Sequence, residues 1–203
     1  MNITHGNILA VFFSASITEK LEGLEWYARA TRISRELAEA YKVVNGFDAV
    51  AGIIAALSPN NRWHRNVKDA ETLIRAYTLG TNLDAVKVST YSKNKAKAIA
   101  ILNGENPLDV LGGNKVRAFY RCIIGEDDVC VDGHAYSIWI GQRVPTTQTP
   151  KISDKLYNSI ANDYRIAAHQ INTILGSNTY SPAQVQAVTW VAWRNHTKGA
   201  DNE

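Results

Sequence analysis

The chain has 203 residues, of which 45% are hydrophobic and 20% charged, with a formal net charge of +3. This length and apolar content suffice for a buried core in one domain or two small lobes and exclude a disordered chain; the charge is too small to argue for a nucleic-acid partner except through local clustering. Two cysteines exclude a disulfide framework and a four-thiolate metal site, so a reduced, intracellular protein is the simplest reading.

Apolar positions recur at helical spacing along nearly the whole chain, and long alternating patterns are absent, which predicts an all-α fold. A first helix falls within residues 4–15. Its run Ile8 to Phe13 has no basic flank before it and is too short to span a membrane, so it reads as a core-packing helix rather than a signal peptide. A long helix is expected from about Thr18 to Tyr41, with Leu21, Leu24, Tyr27, Ala28, Ile33, Leu37 and Tyr41 as its apolar stripe. Asn45-Gly46 breaks it. Asp48 then caps AVAGIIAAL, a helix with almost no polar face and hence the central buried one, which stops at Ser58-Pro59.

The segment Ser58 to Tyr77 combines a turn with an amphipathic helix, and Trp63, His64 and Arg65 stand at its start, where they suit base stacking and phosphate contact or, for Trp63, core packing. A short helix at Leu83–Val86 precedes the segment Val88 to Leu102, which holds Thr90, Tyr91, Lys93 and Lys95. Pro107 begins another short helical turn. Between Lys87 and Arg121 there are seven basic residues against two acids, a cluster next to the turn Gly112-Gly113 that favours phosphate binding. Those glycines allow a tight turn and close approach of backbone to a ligand, and Asn114 is placed as the cap of a basic helix beginning at Lys115 and carrying Arg117.

After the acidic loop Glu126-Asp127-Asp128, Val129 and Val131 deliver Asp132 to the start of a helix expected to contain Ala135, Ile138, Trp139 and Arg143. A carboxylate there is both a cap and a candidate catalyst. Val144 to Lys151 reads as loop, and an amphipathic helix is expected from about Ser153 to Gln170 with a further turn to Leu175. Ser181-Pro182 is a clear start signal for the last helix, in which Trp190 and Trp193 read as core, and the tail Lys198 to Glu203 is expected to fray.

Three of these segments, in order, resemble the helix-hairpin-helix (HhH-GPD) DNA glycosylase superfamily, the endonuclease III-like proteins. They are the turn Ala56-Leu57-Ser58-Pro59-Asn60, the hairpin Leu111-Gly112-Gly113-Asn114-Lys115, and Val131-Asp132-Gly133-His134, with Lys115 and Asp132 seventeen positions apart. The resemblance covers about Asp48 to Gly141. Its hairpin is two residues shorter than the family's leucine-proline-glycine-apolar-glycine pattern. It implies two helical lobes, one of about 48–125 carrying the hairpin and one of about 1–47 plus 131–196, with the cleft between them. It also implies a monomer acting on duplex DNA with an extruded base, in the cytoplasm and associated with the nucleoid. No cofactor is expected, because the C-terminal region lacks the cysteines of the family's iron-sulfur cluster, and no metal is expected either.

By the same resemblance Asp132 stabilises the oxocarbenium-like transition state of N-glycosidic cleavage. Lys115 stands where bifunctional members form a Schiff base and go on to AP lyase chemistry; water as nucleophile, and phosphate binding by Lys115, stay open beside it. Gly112, Gly113, Asn114 and Arg117 would hold the DNA backbone, with Lys93 and Lys95. Asn60 would fill the gap left by the extruded base, with Trp63, Arg65, Thr90 and Tyr91 near the duplex. A non-catalytic DNA-binding module, and a shape that serves protein contacts alone, are the alternatives from different classes.

Overall fold

The protein's structure, a computed structural model, describes residues 4–145 and 147–200. Among these residues it is all-helical, without a strand: α1 (Thr4–Ser14), α2 (Ile17–Tyr41), α3 (Gly46–Leu57), α4 (Trp63–Thr78), a 3₁₀ turn (Leu83–Ala85), α5 (Ser92–Leu102), α6 (Pro107–Val110), α7 (Asn114–Ile124), α8 (Gly133–Ile140), α9 (Asp154–Leu175) and α10 (Pro182–Ala200). Thr146, within the expected loop, and residues 201–203 of the expected tail lie outside the described residues; Lys198 to Ala200 continue α10. No single described helix is long and apolar enough to cross a membrane.

The chain divides into two compact units, residues 1–28 with 126–203, and residues 29–125. The expectation grouped 1–47 together, whereas Arg29 onward joins the second unit. The cause is local to the second half of α2. Ala30, Ser34 and Ala38 are buried, Thr31 Oγ1 donates to Ile123 O at 2.6 Å, Arg35 lies 4.3 Å from the Phe47 ring centroid, and Tyr41 donates to Glu71.

In the 29–125 unit α3 is the central element, packed against α4, α5, α6 and α7, and every residue from Ala49 to Leu57 is buried. Its start differs from expectation: Asn45 holds the N-cap position in the left-handed region without a side-chain cap bond, and Asp48 sits inside the first turn. There an acid favours the helix dipole rather than capping it. Gly52 is where Pro107 presses on α3, since a Cβ would lie 2.8 Å from the proline ring.

In the other unit α1 packs on α8, α9 and α10. The first half of α2 does not bury the leucine stripe: Leu21 is 59% exposed and Ala28 is exposed, while Glu19 and Gly23 are buried. Small residues win because α2 comes against α10 backbone to backbone; a Cβ on Gly23 would stand 2.4 Å from Val188 Cα. Both helices begin with reciprocal caps, Ser16 with Glu19 and Ser181 with Gln184, each pairing a side-chain acceptor with the other residue's backbone N–H. The α9 segments expected as a helix and a further turn form one helix.

Candidate functional site

The Asp132 region is built on an extended segment with no neighbouring strand. Tyr157, buried on α9, supplies its hydrogen bonds: the hydroxyl donates to Val129 O at 2.7 Å and accepts from Val131 N–H at 3.1 Å. This clamps Cys130 between two fixed peptides and delivers Asp132 to the N-cap of α8. There Oδ1 accepts from Ala135 N–H at 2.8 Å, and Oδ2 accepts from the indole Nε1–H of Trp190, on α10, at 3.0 Å. Asp132 is half-buried, so one carboxylate is held by donors from two helices while part of it faces solvent.

Trp190 is itself held. Trp26 meets it edge-on at 5.9 Å, His134 at 6.3 Å, and the Arg194 guanidinium lies 4.3 Å from its ring centroid. It is half-buried rather than core. Beneath lies Tyr164, fully buried and 3.5 Å from Thr189 Oγ1. Burial pushes its hydroxyl far above the ordinary tyrosine value of 10.0; the Thr189 contact opposes this, and the Asp132 charge adds to it. The expected helix stops at Gly141, left-handed at φ +68°, and the position admits no side chain, since a Cβ there would strike Asn7, whose amide donates to Trp139 O. Arg143 is therefore outside α8 and stacks on Trp193 at 4.3 Å.

In the 29–125 unit the predicted DNA-binding residues separate into those that converge and those that do not. Asn60, left-handed at φ +57°, donates its amide to the Tyr91 hydroxyl, and Thr90 Oγ1 donates to Pro59 O at 2.8 Å. Asp69 Oδ2 accepts from Asn61 and from Ser89 N–H, so the 58–61 turn and the 88–91 segment are tied together. Tyr91 is the N-cap residue of α5, and the helix starts at Ser92. Tyr91, Lys93 and Gly112 line one cavity of about 220 Å³ together with Lys97, Asn94 and Val116, over Ala56 and Pro59.

Of the two hairpin glycines only Gly113 is demanded by its backbone; Gly112 faces the flexible end of a lysine side chain. Gly113, at φ +77° and ψ 144°, has open space around it but a backbone conformation that side chains disfavour, whereas a Cβ on Gly112 would come 3.0 Å from the Lys97 ammonium. Gly113 holds the N-cap of α7; Asn114 is the first helical residue and does not cap it. Arg117 turns back on the hairpin and donates to Leu111 O at 2.7 Å. Lys95 is directed elsewhere, donating to Asp84 O at 3.0 Å. Trp63 and Arg65 occupy the first turn of α4, half-buried and exposed respectively. Lys115 is exposed in the first turn of α7, not in the buried setting that would sharpen an amine as nucleophile.

Sequence reasoning passed over Trp190, Tyr157 and Lys97 as site residues. Lys97 was visible only as one member of a basic cluster, and the other two act across 58 and 26 or 28 positions of sequence. Among the described residues no three His, Cys, Asp or Glu side chains gather as a metal site.

The described residues define an all-helical protein, one unit of which carries an Asp-capped helix held by an indole and the other a basic cavity next to a glycine turn. The chain belongs to a family of unknown function (DUF7178), whose model matches residues 2–197. No curated protein and no solved structure matches it.

Proposed function

We propose that the protein is a DNA N-glycosylase that extrudes a damaged or modified base and cleaves its glycosidic bond, with Asp132 as the catalytic carboxylate. The observation that carries the reading is the fixing of both Asp132 oxygens, by Ala135 N–H and Trp190 Nε1–H. Departure of a base leaves positive charge on the deoxyribose, and a carboxylate that need not reorient stabilises that charge most effectively. The C1′–N bond breaks with its electron pair going to the base, water oxygen bonds to C1′, and the proton lost from water ends on the departing base. Water is the nucleophile in this proposal, because Lys115 is exposed and lacks the desolvation that would activate its amine. The cluster of Lys93, Lys97 and the Gly112-Gly113 turn serves to bind the phosphate backbone without reading sequence.

A non-catalytic DNA-binding module is the second reading, favoured by the fact that the bond from Ala135 N–H already accounts for Asp132 as a helix cap. The test incubates wild type, Asp132→Asn and Lys115→Gln, each verified as folded by circular dichroism at the assay temperature, with duplexes carrying oxidised, alkylated, mismatched and enzymatically modified bases. Free base and borohydride-trapped adduct are measured. Release that is lost in Asp132→Asn and kept in Lys115→Gln, without adduct, is expected. A Lys115-dependent adduct would replace water by the lysine. Absence of release from every substrate, with salt-sensitive binding intact in all three proteins, would refute the enzyme in favour of the module.

A further inference from the structure

The cavity beside the hairpin has a composition more specific than a basic surface. Its lining includes two cations, Lys93 and Lys97, and no acid. Neither ammonium is paired with an acid among the described residues, and that of Lys97 stands 3.0 Å from where a Cβ on Gly112 would lie. The floor is apolar, from Ala56, Pro59 and Val116. At the rim Tyr91 is 55% exposed yet immobilised, its hydroxyl accepting from the Asn60 amide and its ring lying 5.8 Å from the Lys93 ammonium. An exposed aromatic ring held by its polar end is a stacking platform whose ordering cost is already met. At about 220 Å³ the cavity is below the roughly 300–1,000 Å³ usual for drug-sized ligands, a size for one base rather than an extended cofactor.

We propose that this cavity seats a single nucleotide unit, its base against Tyr91 and the apolar floor and its phosphate against Lys97 and Lys93. The inference rests on the nucleic-acid part of the function proposed above and not on the glycosidic chemistry. The unit is either one residue of a single strand or a free nucleoside monophosphate; the two share their recognition chemistry. Asn94, buried and tied to Thr90 Oγ1 at 2.8 Å, fixes the α5 side of the seat.

The experiment is an NMR titration of the intact protein, following the Tyr91 ring and the Asn94 side-chain amide, with thymidine 5′-monophosphate, thymidine, inorganic phosphate and a thymidine tetranucleotide. Both nucleotide probes are expected to perturb these signals, with thymidine and phosphate weaker by about tenfold or more. Tyr91→Ala should weaken nucleotide binding about tenfold. Lys97→Gln should weaken it comparably and lower the salt dependence of tetranucleotide binding by about one counterion. Tighter binding of the tetranucleotide identifies a strand; equal binding of the monophosphate identifies a free nucleotide. Phosphate binding as tightly as the monophosphate, no perturbation by either nucleotide, or unchanged affinity in both folded variants would each overturn the seat. Base release that persists without perturbation sinks the seat and spares the glycosylase, and perturbation without base release from any substrate does the reverse.

Discussion

Replacing Asp132 by Asn changes one atom type and should still disturb the protein, because both carboxylate oxygens face donors. Asn offers one oxygen and one NH₂. If the oxygen serves Ala135 N–H, the amide nitrogen confronts Trp190 Nε1–H; flipped, it confronts Ala135 N–H. Asn remains a competent N-cap, so the net loss is one charge-assisted bond replaced by a donor-donor contact, about 2 kcal/mol. For a chain of this size that lowers Tm by about 4–8 °C. Trp190→Phe keeps most of the ring and removes the second donor, leaving the Asp132→Asn substitution nothing to oppose. The double-mutant cycle, measured by urea and thermal denaturation, should therefore give a coupling energy of about 1–2 kcal/mol, with the Asn penalty largely gone in the Phe background. An equal penalty in both backgrounds, or none in either, would refute the two-donor arrangement and weaken the case for a positioned carboxylate.

Gly23→Ala should cost about 2–3 kcal/mol, since the new methyl meets Val188 backbone that cannot rotate aside, whereas Gly6→Ala, with nothing within 4 Å, should be neutral or stabilise by up to about 1 kcal/mol; denaturant titration of the pair reads the contrast. Tyr157→Phe should destabilise by about 2–4 kcal/mol, orphaning Val129 O and Val131 N–H together, and faster hydrogen exchange at Val131 would report it. At Glu19 burial raises the carboxyl pKa, but the bonds from Ser16 and Asn195 and the nearby His196 together bring it below the ordinary 4.5. A depressed folded-state value means the contribution is present above about pH 4.5 and is lost as pH falls through the lower folded value. Wild type and Glu19→Gln should therefore converge in stability on acidification, a result that stability measured from pH 7 to pH 3 would check.

What could be read from the sequence was what neighbours in sequence decide. The Ser181-Pro182 start, the unbroken apolar run of α3 and the capping role of Asp132 all depend on residues within one or two turns. Asp48 and Asn114 were misplaced because each lies one to three residues beyond a residue in a left-handed or otherwise unusual conformation, Asn45 and Gly113, where the helix begins. The α2 stripe failed for a different reason. Leucine spacing marks the greatest apolar area, but close helix approach at Gly23 selects for the absence of side chains, and that choice is made by α10, 165 residues away. At the candidate site, Asn60, Thr90, Tyr91, Lys93 and Gly112 were picked out as separate signals and converge at one cavity or its rim. Trp190 escaped because no local pattern distinguishes an indole that packs from one that also donates to a carboxylate on another helix.

The Tyr157 phenol bears on how this protein can change. Residues 129–131 are extended and apolar, the kind of segment that ordinarily needs a paired strand and, left unpaired, offers other chains an edge to join. One hydroxyl, donating on one side of Cys130 and accepting on the other, gives the segment what a partner strand would give without creating a sheet. The connection from α8 to α9 can thus gain or lose residues at little cost to this bridge, while a single insertion between Val129 and Asp132 would slip the hydroxyl off its peptides and displace the carboxylate in the same stroke.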